Sequence, residues 1–169
     1  MFDLFQPSRA IAVGCLSAAT LLGTWAPAAA DPASDQARND ELAALIPAGS
    51  TDCQVGRQYP EDPFVARLGC GRNSQPGGPY SAVYSLYGSP ADVDTAFGIL
   101  AGSGSPVACP GAAGAQPVAW GGGMVVCTTA SGPREGAPTV SWTKASDLFV
   151  GSASGDDLTA LYSWWLAAR

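Results

Sequence analysis

Few residues of this sequence have the side chains that enzymes use for acid–base or nucleophilic chemistry, and histidine is absent from it. Without histidine, neither a Ser-His-Asp nor a Cys-His catalytic arrangement can form. Every metal site that uses an imidazole ligand is excluded as well. An enzyme built from this chain would therefore have to use carboxylates, or a serine assisted by a lysine.

Ser141 and Lys144 have the Ser-x-x-Lys spacing of the acyl enzymes that recognise penicillin. In those enzymes the lysine assists the attack by the serine from the same helical turn. Residues Thr139 to Thr143 instead alternate as a β-strand does, which would place Ser141 and Lys144 on opposite faces. The partner motifs Ser-Asp-Asn and Lys-Thr-Gly are missing. We interpret the match as a strand that ends in a surface lysine.

Three groups of neighbouring carboxylates are the other candidates for chemistry: Glu61-Asp62, Asp92 with Asp94, and Asp156-Asp157. Glycoside hydrolysis needs two carboxylates on either side of the substrate, and calcium needs about six to eight oxygen ligands. The second and third groups are better explained as helix starts, where acidic residues suit the positive end of the helix dipole. Glu61-Asp62 is expected in a solvated loop. We therefore predict no catalytic residue, no metal and no cofactor.

The cysteines predict crosslinks. Four of the five lie after residue 50, at Cys53, Cys70, Cys109 and Cys127. No Cys-x-x-Cys pair is present, which argues against zinc. An even number of cysteines indicates disulfides if the chain is exported, which its first 30 residues predict. Neighbour pairing, Cys53–Cys70 and Cys109–Cys127, closes two loops that do not interleave. We predict this pairing, with each bond contributing ~3 kcal/mol by restricting the unfolded chain.

Export is indicated by residues 1–30, where a basic residue precedes an apolar run that ends in Ala28-Ala29-Ala30. Small residues at these positions are typical of a signal-peptidase site. We predict cleavage after Ala30, which leaves residues 31–169 as a single exported domain. Lipidation at Cys15 and an uncleaved anchor are the alternatives, although the apolar run is shorter than the ~20 residues that span a membrane.

The formal net charge of −6 narrows the choice of partners. Nucleic-acid binding depends on basic contacts to phosphate, and binding to an anionic membrane surface depends on clustered basic residues. This acidic chain has a single lysine, Lys144. We therefore predict no nucleic-acid partner and no binding to an anionic membrane surface. We also expect no stable membrane span after signal cleavage.

The periodicity of the apolar residues predicts an α+β fold. Strands are expected at Phe64–Cys70, Tyr80–Tyr87, Met124–Thr129, Thr139–Thr143 and Asp147–Ser152, and helices after the caps Ser34, Ser89 and Asp156. Residues 51–63 and 102–114 are expected to be irregular. Short connections make neighbouring strands antiparallel. The expected architecture is an antiparallel sheet of about five strands with the helices on one face.

Two tryptophans of the last predicted helix receive different roles. Leu158, Leu161, Tyr162 and Trp165 fall on one side of a helix, so we expect Trp165 to anchor the buried face. Trp164 lies about 100° further round the helix. We predict that Trp164 is partly exposed, and it is our candidate for a partner surface.

Several short segments resemble small exported actinobacterial, mycobacterial-type proteins and the extracytoplasmic domains of some actinobacterial Ser/Thr protein kinases. The resemblance spans most of residues 41–166. Its segments are Leu42-Ala43-Ala44-Leu45-Ile46-Pro47, Cys53, Cys70, Ala82-Val83-Tyr84-Ser85-Leu86-Tyr87, Ala96-Phe97, Cys109, Trp120, Cys127, Ser141-Trp142-Thr143 and Trp164-Trp165. Such domains are generally supposed to sense or bind something outside the membrane.

We therefore expect a secreted or cell-envelope domain that binds an extracytoplasmic protein or a small ligand and is not an enzyme. The alternative is a histidine-free envelope hydrolase that uses carboxylates or a serine.

Overall fold

A computed structural model describes residues 32–59, 61–131 and 136–169, and within them one antiparallel sheet of eight strands forms the centre of the protein. The predicted export signal, its cleavage site and Cys15 lie outside the described residues. The elements in chain order are α1 (Pro32–Leu45), β1 (Gln54–Val55), β2 (Phe64–Cys70), β3 (Ser81–Tyr87), α2 (Pro90–Gly102), β4 (Gly104–Val107), β5 (Val118–Trp120), β6 (Gly123–Ala130), β7 (Pro138–Lys144), β8 (Phe149–Ser154) and α3 (Leu158–Ala168).

The strands lie in the order β1-β2-β3-β8-β7-β6-β4, and β5 also pairs with β6. The five predicted strands are present as β2, β3, β6, β7 and β8. The predicted number is wrong because three further strands, β1, β4 and β5, contain only two to four residues each. Strands this short are at or below the lower limit of the usual length and show too little alternation for a sequence pattern to reveal.

Each disulfide holds one of these short strands against a longer neighbour. The pairs are Cys53–Cys70 and Cys109–Cys127, the predicted neighbour pairing, with sequence separations of 17 and 18. Cys53 directly precedes β1 and Cys70 ends β2, whereas Cys109 follows β4 and Cys127 lies in β6. The crosslinks therefore fix edge pairings that two to four residues would hold only weakly.

Capping interactions begin α2 and α3, whereas α1 begins at Pro32, so the prediction that Ser34 caps the first helix is wrong. The Ser89 hydroxyl accepts a hydrogen bond from the Asp92 N–H and donates one to the Asp92 carboxylate, and Pro90 occupies the first turn, as predicted for α2. The cap of α3 is Asp157, whose carboxylate accepts from the Ala160 N–H at 2.7 Å, so the predicted cap is wrong by one residue. In the described ranges, no helix has the length and apolar character that crossing a bilayer requires.

The helices cover both faces of the sheet, so the prediction that they share one face is wrong. α1 and α3 pack on the face that carries Leu68, Tyr84 and Trp142, here called the tryptophan face. α2 packs on the opposite face with Tyr87 and Val150, here called the α2 face. The cause is topological, because α2 connects β3, near one edge of the sheet, to β4 at the other edge and must cross the sheet between them.

The tryptophan face is closed by aromatic packing. Trp165 is 1% exposed, and its ring lies 5.5 Å from Trp120 and 6.3 Å from Trp142. Trp164 is 3% exposed and lies 6.4 Å from Trp142. The prediction that Trp164 is partly exposed is therefore wrong, and its indole offers no accessible partner surface. The buried stripe of α3 is wide enough to include two residues that are 100° apart.

Candidate functional site

Ser141 and Lys144 do not form a catalytic pair. Ser141 is buried in β7, where its hydroxyl shares a hydrogen bond of 2.9 Å with the Ser152 hydroxyl. Lys144 lies at the exposed end of the same strand and pairs with Asp147, which lowers the pKa of that carboxyl group. Residues three apart on a strand point to opposite faces, as the sequence pattern predicts.

Four of the six candidate carboxylates take part in local hydrogen bonds or an ion pair. Asp62 accepts a hydrogen bond of 2.7 Å from the Tyr59 N–H, Asp92 belongs to the cap of α2, and Asp157 caps α3. Asp156 lies 3.9 Å from Arg72 at the surface. Among the described residues, no cluster of three or more aspartate, glutamate or cysteine side chains is arranged to hold a metal ion.

A groove on the α2 face combines an apolar lining with a few polar side chains, and it is here called the α2 groove. It arises because α2 packs chiefly over β7, β8 and β4 and leaves the outward side chains of β2 and the adjoining part of β3 uncovered. The groove has two adjoining compartments of about 240 and 490 Å³, which share Arg67, Val83, Leu100 and Ser152. The larger one falls within the range of about 300–1,000 Å³ that is usual for small-molecule sites.

The floor of the α2 groove consists of two rows of paired residues on the sheet. Gly69, Val83 and Ser152 are direct neighbours on β2, β3 and β8, and the next row is Arg67, Ser85 and Val150. Gly69 has no atom within 4 Å of the position that a Cβ would take, so the floor above it is open. An antiparallel sheet commonly leaves one face solvated and polar, so the feature that distinguishes this floor is the aliphatic Val83 on it.

Exposed apolar side chains concentrate at this groove. Val83 is 42% exposed although it belongs to an internal strand, and Ile99 on α2 is 67% exposed. Leu100 lines both compartments, and Val55 lies at the β1 edge. Of the five large apolar side chains that are exposed in the described part of the chain, three therefore border one concavity. Grouped exposure of this kind marks a binding surface more strongly than scattered apolar residues do.

Arg67 supplies a positive charge to the floor of the groove. Its Nε donates to the Ser85 hydroxyl at 3.2 Å, and its guanidinium carbon lies 4.3 Å from the centre of the Phe64 ring. Phe64 reaches this face because a β-bulge interrupts the β2–β3 register between Phe64 and Ala66. The stem of Arg67 runs alongside Gly56, where a Cβ would come within 2.9 Å of it. Arg67 forms no ion pair with any described residue.

Tyr87 completes the polar part of the groove. Burial raises the pKa of its phenol, and the nearby Arg67 charge lowers that pKa by a smaller amount. Ser85 and Tyr87 are both buried, so Arg67 is the group of this cluster that reaches most into the open space. The arrangement presents one cation beside an aliphatic surface, with the hydroxyl groups buried beneath it.

Sequence reasoning missed the α2 groove, although three residues signal it. Arg67 interrupts an otherwise apolar strand, and Val83 is a large aliphatic residue between two serines on its face of β3. Ile99 lies off the buried stripe of α2 that contains Val93 and Phe97. Val83 and Ile99 are apolar side chains at positions where the periodicity predicts polar residues, and Arg67 follows the alternation of β2 onto the same face of the sheet.

Comparison of the chain with protein-family models, with curated proteins and with solved structures gave no match. The geometry of the α2 groove is therefore the evidence from which a function can be argued.

Proposed function

We propose that this protein is a secreted or cell-envelope binding domain without catalytic activity, and that its ligand site is the α2 groove. The observation that carries the proposal is the uncovered row of Gly69, Val83 and Ser152 beside exposed Ile99. Leaving Val83 and Ile99 in water forfeits about 25 cal/mol for each Å² that burial would remove from solvent. A ligand that covers them recovers this free energy.

Export is the second part of the proposal. Two disulfides fit an oxidising compartment, and residues 1–30 have the composition of a signal peptide cleaved after Ala30. The resemblance to extracytoplasmic domains of actinobacterial kinases points to the same compartment and to the same binding role.

A binding role suits the groove better than hydrolysis. Its lining contains one carboxylate, Asp62, and that group is engaged by the Tyr59 N–H. Its serines, Ser85 and Ser152, are bonded to Arg67 and Ser141. An acid–base or nucleophilic mechanism needs such groups free to meet a substrate.

The test fills the groove without disturbing the fold. In Gly69→Val the added side chain enters open space, and valine is favoured in strands. Gly121→Val adds the same side chain at another position without neighbours within 4 Å, outside the groove, and is the control. Binding of the uncharged apolar dye Nile red is measured by fluorescence on the folded protein, with circular dichroism as the check of folding.

We expect dye binding to wild type and to Gly121→Val, with a loss of at least about tenfold in Gly69→Val, because a filled floor excludes the apolar probe. Equal binding to all three proteins would place the apolar site elsewhere and overturn the assignment of the groove.

A further inference from the structure

We infer that the α2 groove takes an anionic amphiphile, with an aliphatic chain against Val83 and Ile99 and a carboxylate held by Arg67. This inference rests on the proposed function of the groove and adds the chemical class of its ligand. Two independent features carry it, namely the state of the Arg67 guanidinium and the character of the surface beside it.

Arg67 is oriented but incompletely bonded. Ser85 uses the Nε–H, and the Phe64 ring supports the plane of the guanidinium. The two Nη groups form no hydrogen bond or ion pair with the described residues. The terminal edge of a guanidinium matches the two oxygens of a carboxylate. An orientation fixed in advance reduces the ordering cost of binding.

The charge around Arg67 favours an incoming anion at short range. Asp62 is the carboxylate that lines the same compartment, and one of its oxygens accepts from the Tyr59 N–H instead of forming an ion pair with Arg67. The half-buried Arg67 has therefore lost part of its hydration without gaining an ionic partner. The chain's net charge of −6 disfavours an extended anionic surface, whereas a single carboxylate requires only this local contact.

The remaining surface suits an acyl chain better than a peptide. β2, β3 and β8 under the groove each have a neighbouring strand on both sides, so a peptide could align only along the outer edge of β1, which contains two residues. The aliphatic groups of the groove come from Val83, Ile99 and Leu100. Gly69 has no side chain, so space remains above the sheet for a ligand. The free energy gained by covering such a surface is non-directional and roughly proportional to the apolar area buried, which suits a flexible acyl chain.

The experiment titrates the mature protein, residues 31–169 with both disulfides intact, by calorimetry. The ligands are decanoate, decan-1-ol, decyl phosphate and a short valine-rich peptide with a free carboxyl terminus, each below any aggregating concentration. The variants are Arg67→Met, which keeps the aliphatic stem, Arg67→Lys, which keeps the charge, and Gly69→Val. Arg38→Met, at an exposed position of α1, is the matched charge control.

We expect decanoate to bind most tightly, and Arg67→Met to weaken it about ten- to a hundredfold, the range of a charge-assisted hydrogen-bonded pair. The decanoate affinity of Arg67→Lys should lie between those of wild type and Arg67→Met, because lysine keeps the charge but lacks the two parallel N–H groups that match a carboxylate. Arg67→Met should leave decan-1-ol binding unchanged, Gly69→Val should weaken both ligands, and Arg38→Met neither.

Equal affinity for decanoate in wild type and Arg67→Met, or decan-1-ol binding as tightly as decanoate, would overturn the anionic assignment while the groove remains a binding site. Tighter binding of decyl phosphate would overturn the choice of a carboxylate, and tighter binding of the peptide would overturn the acyl chain. If no ligand binds and Gly69→Val still loses Nile red, the ligand class is wrong. If Gly69→Val retains Nile red as well, the proposed function fails with it.

Discussion

The two faces of the sheet are closed to different degrees, and neighbouring residues of β3 show the contrast. Tyr84 points to the tryptophan face and is 0% exposed, whereas Val83 points to the α2 face and is 42% exposed. Two helices and the β5 segment with Trp120 cover the first face, while α2 alone crosses the second. The tryptophan face therefore holds the fold together, and the α2 face retains surface that a ligand can cover.

Glycines on the two faces make the same distinction at atomic scale. On the tryptophan face, a Cβ at Gly151 would overlap the Trp142 indole, so this glycine gives space to a core side chain. On the α2 face, Gly69 has nothing above it. The space beside Gly151 is occupied by the Trp142 indole, whereas the space beside Gly69 is unoccupied. Substitutions on either face test whether the two faces differ in packing.

The largest expected effect is loss of the tryptophans of α3. Trp165→Ala and Trp164→Ala should each lower the free energy of unfolding by ~3–5 kcal/mol, because each removes a buried indole and leaves a cavity. Trp165 should lie at the upper end, since its ring contacts Trp120, Trp142 and Tyr162. Denaturant unfolding with the disulfides intact measures both.

Leu166→Ala on the same helix is the control, because Leu166 is 41% exposed and should cost less than ~0.5 kcal/mol. A Trp164→Ala variant no less stable than Leu166→Ala would show that Trp164 does not belong to the closed face.

The fold was predictable where local signals decide it. The alternation of Phe64–Cys70 and the cap at Ser89 specify β2 and the start of α2 without reference to the rest of the chain. The strands β1 and β4 depend on a disulfide and a partner strand, so a local pattern cannot reveal them. The α2 groove depends on where α2 crosses the sheet, which no residue of α2 encodes alone. Trp164 was misplaced for a similar reason, because the width of the buried stripe is set by neighbouring elements.

A smaller effect is expected from adding one methyl group to either face. Gly151→Ala should lower stability by ~1–3 kcal/mol, because the Trp142 indole must move out of a packed position. Gly69→Ala should be neutral or stabilising by up to ~0.5–1 kcal/mol, since alanine restricts the unfolded chain and meets no obstacle. Thermal or urea unfolding of the two variants is the measurement. Similar losses at both positions would mean that the α2 face is as closely packed as the tryptophan face.

The smallest expected effect is a dependence of stability on alkaline pH, which should be stronger for the tryptophan face. Burial raises the pKa of Tyr84 above its ordinary value of 10.0. Burial also raises the pKa of Tyr87, but on the α2 face the Arg67 charge offsets part of the rise. In the unfolded chain both phenols ionise near pH ~10. Above that pH the unfolded state binds fewer protons than the folded state, so stability is full below pH ~10 and falls as the pH approaches the folded pKa.

Urea unfolding at pH ~8 and pH ~10.5, on either side of the unfolded pKa, compares wild type with Tyr84→Phe and Tyr87→Phe. Tyr84→Phe should remove more of the alkaline loss than Tyr87→Phe does. At pH ~8 it should be neutral or slightly stabilising, because the Tyr84 hydroxyl is buried and forms no hydrogen bond with the described residues. If Tyr84→Phe loses as much stability at alkaline pH as wild type does, the alkaline sensitivity arises from other groups. A larger change in Tyr87→Phe would reverse the contrast between the two faces.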